Sequence, residues 1–376
     1  MREITVVGAG DMGHGIAEVS AIAGFRVFLV DINEEILKNA VKNIRKSLKK
    51  LARKKKIKKD EVKAIEDRII TRTKIDEALN NSEIVFEAVS ENQKLKRKIF
   101  SEIEKCIPND SLIASNTSYF SIAELSEGFN HPERFLGMHF FNPVVLMKSL
   151  EIIKGKHTSK KTIEKALSIA EKLNKIGIVV KDSPGFVVNR VQMPTQILLC
   201  NAVEKGMITP NQIDAAMKNM GLPMGAFEVM DYSGLDVSLH GLEYMSKKLG
   251  PEYGPNQWFV DLVQAGKLGK KTGEGIYDWS SGRANIDLTD STDKIKPIDL
   301  MIVQINEGMK VLEEEIVNSY KDIDLLIKNG TGNPMGIFGL LKSIGKEKII
   351  KRCKEFAQMF GLELFKPTKK LREWTN

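Results

Sequence analysis

Ile4-Thr5-Val6-Val7-Gly8-Ala9-Gly10-Asp11-Met12-Gly13 opens the chain with a short apolar run, a glycine-rich turn and the start of a helical pattern. In that context each glycine has a physical reading: Gly8 permits the tight turn, Gly10 lets the backbone approach a pyrophosphate, and Gly13 lets the helix pack on the strand. Asp11 and Met12 fill the intervening positions, at the helix N-terminus where a phosphate is favoured. Asp31 closes the next apolar run, 21 residues after Gly10. A carboxylate there accepts hydrogen bonds from a ribose and repels a 2′-phosphate, so the expected cofactor is NAD rather than NADP.

Outward from this stretch, apolar runs at 4–8, 27–31, 84–88, 112–114, 135–139 and 176–180 read as buried strands, with amphipathic segments at 91–106 and 160–173 between them. The alternation predicts an α/β Rossmann-type doubly wound parallel sheet. After Val180 the strands stop, and Asp182-Ser183-Pro184-Gly185 reads as a helix N-cap followed by an early proline. The rest is expected to be all-α and made of two repeated units. Ile213-Asp214 recurs as Ile323-Asp324, Pro223-Met224-Gly225 as Pro334-Met335-Gly336, Phe227 as Phe338 and Gly234 as Gly345, at offsets of 110 and 111. The expected domains are 1–183, a cofactor-binding domain with a basic hairpin, 184–290, a first helical unit, and 291–376, its second copy.

The 376 residues are 42% hydrophobic and 28% charged, which excludes a disordered or collagen-like chain. No apolar run approaches the ~18–20 residues of a transmembrane helix, and the early first strand leaves no room for a signal peptide, so a cytoplasmic protein is expected. Cys106, Cys200 and Cys353 are odd in number and form no CxxC pair, which argues for reduced thiols and against a metal site. The net charge of +8 is local. Residues 42–59 contribute eleven Lys and Arg and no acid, leaving −3 on the remainder, so a general nucleic-acid surface is not indicated. Leu37, Val41, Ile44, Leu48 and Leu51 give this stretch the stripe of an amphipathic helix. It lacks the interleaved aromatics that stack nucleic-acid bases.

Among the five histidines, His139 stands out because it ends a strand, and strand carboxyl ends are where ligands lie in such sheets. Glu151, twelve residues on, starts another apolar run, and a carboxylate behind an imidazole fixes its tautomer and stabilises its charged form. Ser118, in Ser115-Asn116-Thr117-Ser118, and Asn189, near the start of the first long helix, are polar groups at site edges. Taken singly, such a residue is more often a helix cap or a surface residue than a site group.

Together these segments resemble the L-3-hydroxyacyl-CoA dehydrogenase family. The resemblance runs through the glycine turn, Glu87-Ala88-Val89-Ser90-Glu91-Asn92, Ser115 to Ser118, His139-Phe140-Phe141-Asn142-Pro143, Ser183 to Arg190, Pro223 to Gly225 and Gly269-Lys270-Lys271-Thr272-Gly273-Glu274-Gly275. It implies NAD-dependent, reversible oxidation of (S)-3-hydroxyacyl-CoA, with His139 as base and Glu151 as its partner. Ser118, Asn142 and Asn189 fall where the family binds substrate. Glu91, Lys96, Asn116, Ser118 and Lys271 fall on its cofactor pocket, and Ser47 and Lys54 where it grips coenzyme A. Val145 and Tyr119 replace a proline and a second serine common in the family. In the second copy Asp299-Leu300 replaces Asn189-Arg190, which implies a structural role for that copy.

A dehydrogenase of a free hydroxy acid on the same scaffold is the nearer alternative, and the basic hairpin argues against it. Because the second copy covers an apolar face that single-copy relatives bury by dimerising, a monomer with an internal pseudo-dimer is expected, with a homodimer as the alternative. The two-copy arrangement also resembles the dehydrogenase part of longer enzymes that carry an enoyl-CoA hydratase domain, so any hydratase is expected to be a separate protein or to lie outside this sequence.

Overall fold

The computed structural model describes residues 2–333 and 335–375. The chain forms two compact units: Met1–Phe186 with Ile316–Asn318 and Leu325–Pro334, and Val187–Glu315 with Ser319–Asp324 and Met335–Asn376. Among the described residues no helix is long and apolar enough to cross a membrane.

The first unit is built on one eight-stranded sheet. Along the chain it runs β1 (Glu3–Val7), α1 (Asp11–Ile22), β2 (Arg26–Val30), α2 (Glu34–Arg53), α3 (Glu61–Glu66), β3 (Ile69–Arg72), β4 (Ser82–Glu87), α4 (Gln93–Cys106), β5 (Leu112–Ser115), α5 (Ile122–Leu125), β6 (Phe135–Phe140), β7 (Ser149–Lys154), α6 (Lys160–Lys172) and β8 (Ile176–Lys181). The strand order is β3-β2-β1-β4-β5-β6-β7-β8, so the direction of winding reverses between β1 and β4, where such sheets bind ligands. All pairs are parallel except β6 with β7, so the expected doubly wound parallel sheet is present with one antiparallel pair in it. The link between them, residues 141–148, is shorter than the ~10–12 residues a parallel crossover needs.

Strand alternation divides the sheet into two faces. Ile84, Phe86, Leu112, Ala114, Leu136, Met138, Phe140, Leu150 and Ile152 join one core with α1, α2 and α6. The intervening positions, Glu87, Ser115, His139 and Glu151, therefore project from the opposite face, near one end of their strands. On α2 the stripe reads as expected: Leu37, Ile44, Leu48 and Leu51 are buried and Val41 half-buried, leaving the basic positions exposed.

The second unit carries α7 (Val188–Glu204), α8 (Pro210–Asn219), α9 (Ala226–Ser233), α10 (Leu235–Leu249), α11 (Gln257–Gln264), α12 (Pro297–Glu313), α14 (Phe338–Ile344), α15 (Lys346–Phe360) and α16 (Lys369–Glu373); α13 (Tyr320–Thr331) starts in it and ends in the first unit. The sequence repeat is a repeat of devices. Asp214 accepts the amides of Phe227 and Glu228, and Asp324 those of Ile337 and Phe338, so a carboxylate, buried at Asp214 and half-buried at Asp324, caps α9 and the matching α14. Gly225 and Gly336 make room for these carboxylates: a Cβ would come within 2.2 Å of Asp214 and 2.6 Å of Asp324. Gly234 and Gly345, with φ of +98° and +88°, turn the chain into α10 and α15, each 15 residues long.

The copies meet along α7 and α12. Buried Arg190 donates to Glu307 at 2.6 Å and Glu314 at 2.9 Å, and Gln304 donates to Thr195 at 3.0 Å. Cys200 and Cys353 are buried free thiols, and Cys106 is an exposed one.

The N-cap expected within Asp182-Ser183-Pro184-Gly185 is not formed. Helix α7 begins after Val187 without a side-chain cap, and Asp182 instead accepts from Ser121 Oγ and from the amides of Ile122 and Ala123, fixing the start of α5. A carboxylate serves whichever free amides the fold brings to it, and here those lie 60 residues upstream.

Candidate active site

The glycine turn has the shape of a dinucleotide cradle. Gly8 has φ of +99°, and a Cβ on it would lie 2.5 Å from the carbonyl oxygen of Ala88, the residue after β4. A Cβ on Gly13 would strike the Gly8 carbonyl at 1.8 Å, whereas one on Gly10 would meet nothing within 4 Å. Two glycines are thus required by packing and the third leaves open space at the N-terminus of α1, which no side chain caps. That is the arrangement a pyrophosphate fits. Asp11 and Met12 begin α1, with Asp11 exposed and Met12 half-buried. Asp31 Oδ2 accepts the amide of Ala9 at 3.0 Å and Oδ1 that of Asn33 at 3.1 Å, so the carboxylate steadies the cradle while retaining lone pairs for a ribose.

A second cluster stands on the opposite face from the α1 core. His139 and Glu151 are direct neighbours across the antiparallel β6–β7 pair, and Glu151 Oε2 lies 2.6 Å from Nδ1 of His139. The other ring nitrogen, Nε2, lies 3.3 Å from Ser118 Oγ. Glu151 is fully buried and His139 is 5% exposed. Phe141 packs edge-on to the imidazole at 4.9 Å and Phe186 at a tilt at 5.8 Å, so an aromatic collar shields it. With Nδ1 tied to a carboxylate, the ring carries its lone pair on Nε2, toward Ser118.

Lys96 forms a hub beside them. It is buried, and its ammonium donates to Glu87 at 2.7 Å, meets Glu91 at 3.1 Å and donates to the Val89 carbonyl at 3.2 Å. Burial acts against its charge, but the two carboxylates outweigh it and hold its pKa above the ordinary lysine value. Glu91 Oε1 in turn accepts the Ser118 amide at 2.9 Å and the Thr117 hydroxyl at 2.5 Å, which fixes the backbone that presents Ser118. Asn116 is buried, and its Oδ1 accepts the Phe140 amide at 2.9 Å, locking β6 one residue beyond His139. Glu87, which the sequence reading did not single out as a site residue, completes the hub by accepting Ser115 Oγ at 2.7 Å. Its signal was available: an acid at the end of an apolar strand, nine residues before a lysine.

The remaining candidates sit as follows. Asn142 is exposed in the loop after β6. Ser47 is half-buried on α2, where its hydroxyl is hydrogen-bonded to Glu18 of α1, and Lys54 is exposed just past the end of that helix. Asn189 and Lys271 belong to the second unit: Asn189 is half-buried in the first turn of α7, and Lys271 is paired with Asp236. The second copy's counterpart of Asn189, Asp299, is consumed by a two-pronged pair with Arg352, with both contacts at 2.8 Å.

The family model "3-hydroxyacyl-CoA dehydrogenase, NAD binding domain" matches residues 3–183, and "3-hydroxyacyl-CoA dehydrogenase, C-terminal domain" matches residues 185–279 and 300–375. A probable 3-hydroxybutyryl-CoA dehydrogenase of Bacillus subtilis is 40% identical over 281 residues, covering 74% of this chain and 98% of that protein. A fatty acid oxidation complex subunit alpha of Idiomarina loihiensis is 34% identical over 98% of this chain, which takes up 54% of that longer protein. The crystal structure of 3-hydroxybutyryl-CoA dehydrogenase from Escherichia coli superposes with a TM-score of 0.86 at 25% identity, covering 99% of this chain and 98% of that one. The chain belongs to the 3-hydroxyacyl-CoA dehydrogenase family.

Proposed function

We propose that His139 is the base of an NAD-dependent 3-hydroxyacyl-CoA dehydrogenase, the activity that goes with the family. The reaction interconverts (S)-3-hydroxyacyl-CoA and 3-oxoacyl-CoA. Bound NAD supplies the hydride acceptor at the cradle of Gly8, Gly10 and Gly13, with Asp31 on its ribose. His139 takes the C3 hydroxyl proton on Nε2, and Glu151 stabilises the imidazolium that forms, without water to screen the pair. In the reductive direction the same nitrogen returns the proton. Ser118 holds the reacting oxygen and the thioester region, together with Asn142. Glu91, Lys96 and Asn116 line the cofactor's surroundings, and Ser47 and Lys54 take the nucleotide end of coenzyme A. The observation that carries the reading is the chain Glu151–His139–Ser118, buried at Glu151 and His139 and half-buried at Ser118, with Nε2 pointing away from the carboxylate. Acetoacetyl-CoA-dependent oxidation of NADH by the wild type and by His139→Gln tests it.

The same proposal takes the protein to be a cytoplasmic monomer, the second copy standing in for a partner subunit. The α7–α12 contact with its Arg190–Glu307 pair supports this, as do the free thiols. Hydration of an enoyl thioester is the class of reaction that supplies such a substrate. Light scattering after size exclusion distinguishes a mass near the chain's 42.1 kDa from a concentration-independent dimer, which would contradict it.

A further inference from the structure

The segment that joins His139 to Glu151 is held from several sides. At its start the Phe140 amide is fixed by Asn116. In its middle the buried ammonium of Lys175 donates to the carbonyls of Val144 and Met147. At its end the Lys148 amide donates to the carbonyl of Asn329 and Ser149 Oγ to that of Leu325, each at 2.9 Å. Asn329 and Leu325 lie on the last turns of α13, which come from the second helical copy and fold with the first unit.

Between these anchors, Gly330 lies flat on the ring of Phe141. A Cβ at Gly330 would come within 3.0, 3.1 and 3.2 Å of three ring carbons, tighter than ordinary van der Waals contact. Gly330 is helical, so its lack of a side chain is not explained by backbone conformation and costs helix stability relative to alanine. The contact it permits continues inward, because the same Phe141 ring packs edge-on to the imidazole of His139 at 4.9 Å.

We propose that Gly330 is a positioning residue: through Phe141 it sets the placement of the His139 ring, so the second copy tunes the catalytic pair of the first unit. The inference rests on His139 being the base. A side chain at 330 must push Phe141 by a few tenths of an ångström, and the same ring is in edge contact with the imidazole of His139. Misplacing a reacting group by about 1 Å costs on the order of 10²-fold in rate, so a smaller push costs less.

The test compares Gly330→Ala, Gly330→Val, Phe141→Leu and the Gly330→Val/Phe141→Leu double variant in the full chain. It measures kcat and KM for acetoacetyl-CoA, NADH affinity by fluorescence, thermal melting, and kcat against pH. Gly330→Ala is expected to lower kcat about 3- to 10-fold and Gly330→Val about 30-fold or more, with NADH affinity unchanged. The pH limb that His139→Gln abolishes is expected to move in Gly330→Ala, and the smaller ring site in the double variant to restore at least part of kcat. A purely structural role would lower melting without moving that limb. Wild-type kcat and pH profile in Gly330→Ala overturn the inference, as does a double variant no better than Gly330→Val. Should Gly330→Val not fold, Gly330→Ala and Phe141→Leu decide the matter through the same limb. Turnover that survives His139→Gln overturns the assignment of the base itself, whereas turnover lost there and untouched in the Gly330 variants overturns only this inference.

Discussion

Glu151 Oε2 sits 2.6 Å from Nδ1 of His139, directly across the β6–β7 pair, and both side chains are buried. The antiparallel pairing is what makes this possible, because opposed residues on one face of such a pair lie ~4.5–5.5 Å apart at Cβ. Glu151→Gln keeps the shape but offers an amide that no longer enforces the Nδ1–H tautomer. It is expected to lower kcat about 10²- to 10⁴-fold while leaving NADH affinity within twofold, as measured by steady-state kinetics and fluorescence titration.

Asp31 has two tasks, and one substitution touches both. Asp31→Asn removes the charge that disfavours a 2′-phosphate and weakens the acceptor that steadies Ala9. KM for NADH is expected to rise about tenfold and the preference over NADPH to shrink, read from kcat/KM for the two cofactors. A variant with unchanged preference would remove Asp31 from cofactor choice.

Lys54 is exposed beyond α2 within a run of basic side chains. Lys54→Ala is expected to raise KM for acetoacetyl-CoA and flatten its dependence on ionic strength, with kcat preserved, because a screened attraction to phosphate is lost. Kinetics at low and moderate salt check this.

Much of the architecture was legible because most of the sheet strands are short apolar runs set between polar or glycine-containing turns. Strand β3 was not: Ile69-Ile70-Thr71-Arg72 is a four-residue, half-buried edge strand with too little periodicity to read. Direction was also hidden in the residue types of β7, although the shortness of the link 141–148 carried it. At the site, His139, Glu151, Gly8 and Asp31 announce themselves by position, since strand ends and glycine spacing are local. Glu87 and the contacts of Asp182 depend on which amides and cations the fold brings near, and no sequence spacing encodes that.

Glu18 offers a test of burial. It is 2% exposed on α1, its Oε1 has no hydrogen-bond partner, and burial raises its pKa from 4.5 to about 7, opposed by the hydrogen bond of Ser47. A raised carboxylate pKa means that the folded state binds more protons than the unfolded one between the two values, so stability falls as pH rises from about 4.5 to 7. Glu18→Gln lacks this loss. It is expected to be more stable than the wild type by about 1–3 kcal/mol at pH 8 and nearly equal to it at pH 4.5, as read from denaturant midpoints at the two pH values.

The most direct measurement is oxidation of NADH followed at 340 nm with acetoacetyl-CoA and with free acetoacetate. A CoA-thioester dehydrogenase is expected to use acetoacetyl-CoA with kcat/KM at least about 10³-fold higher, since the nucleotide end contributes binding that the free acid cannot. Equal or better use of free acetoacetate, or no NADH oxidation with acetoacetyl-CoA, would contradict the account.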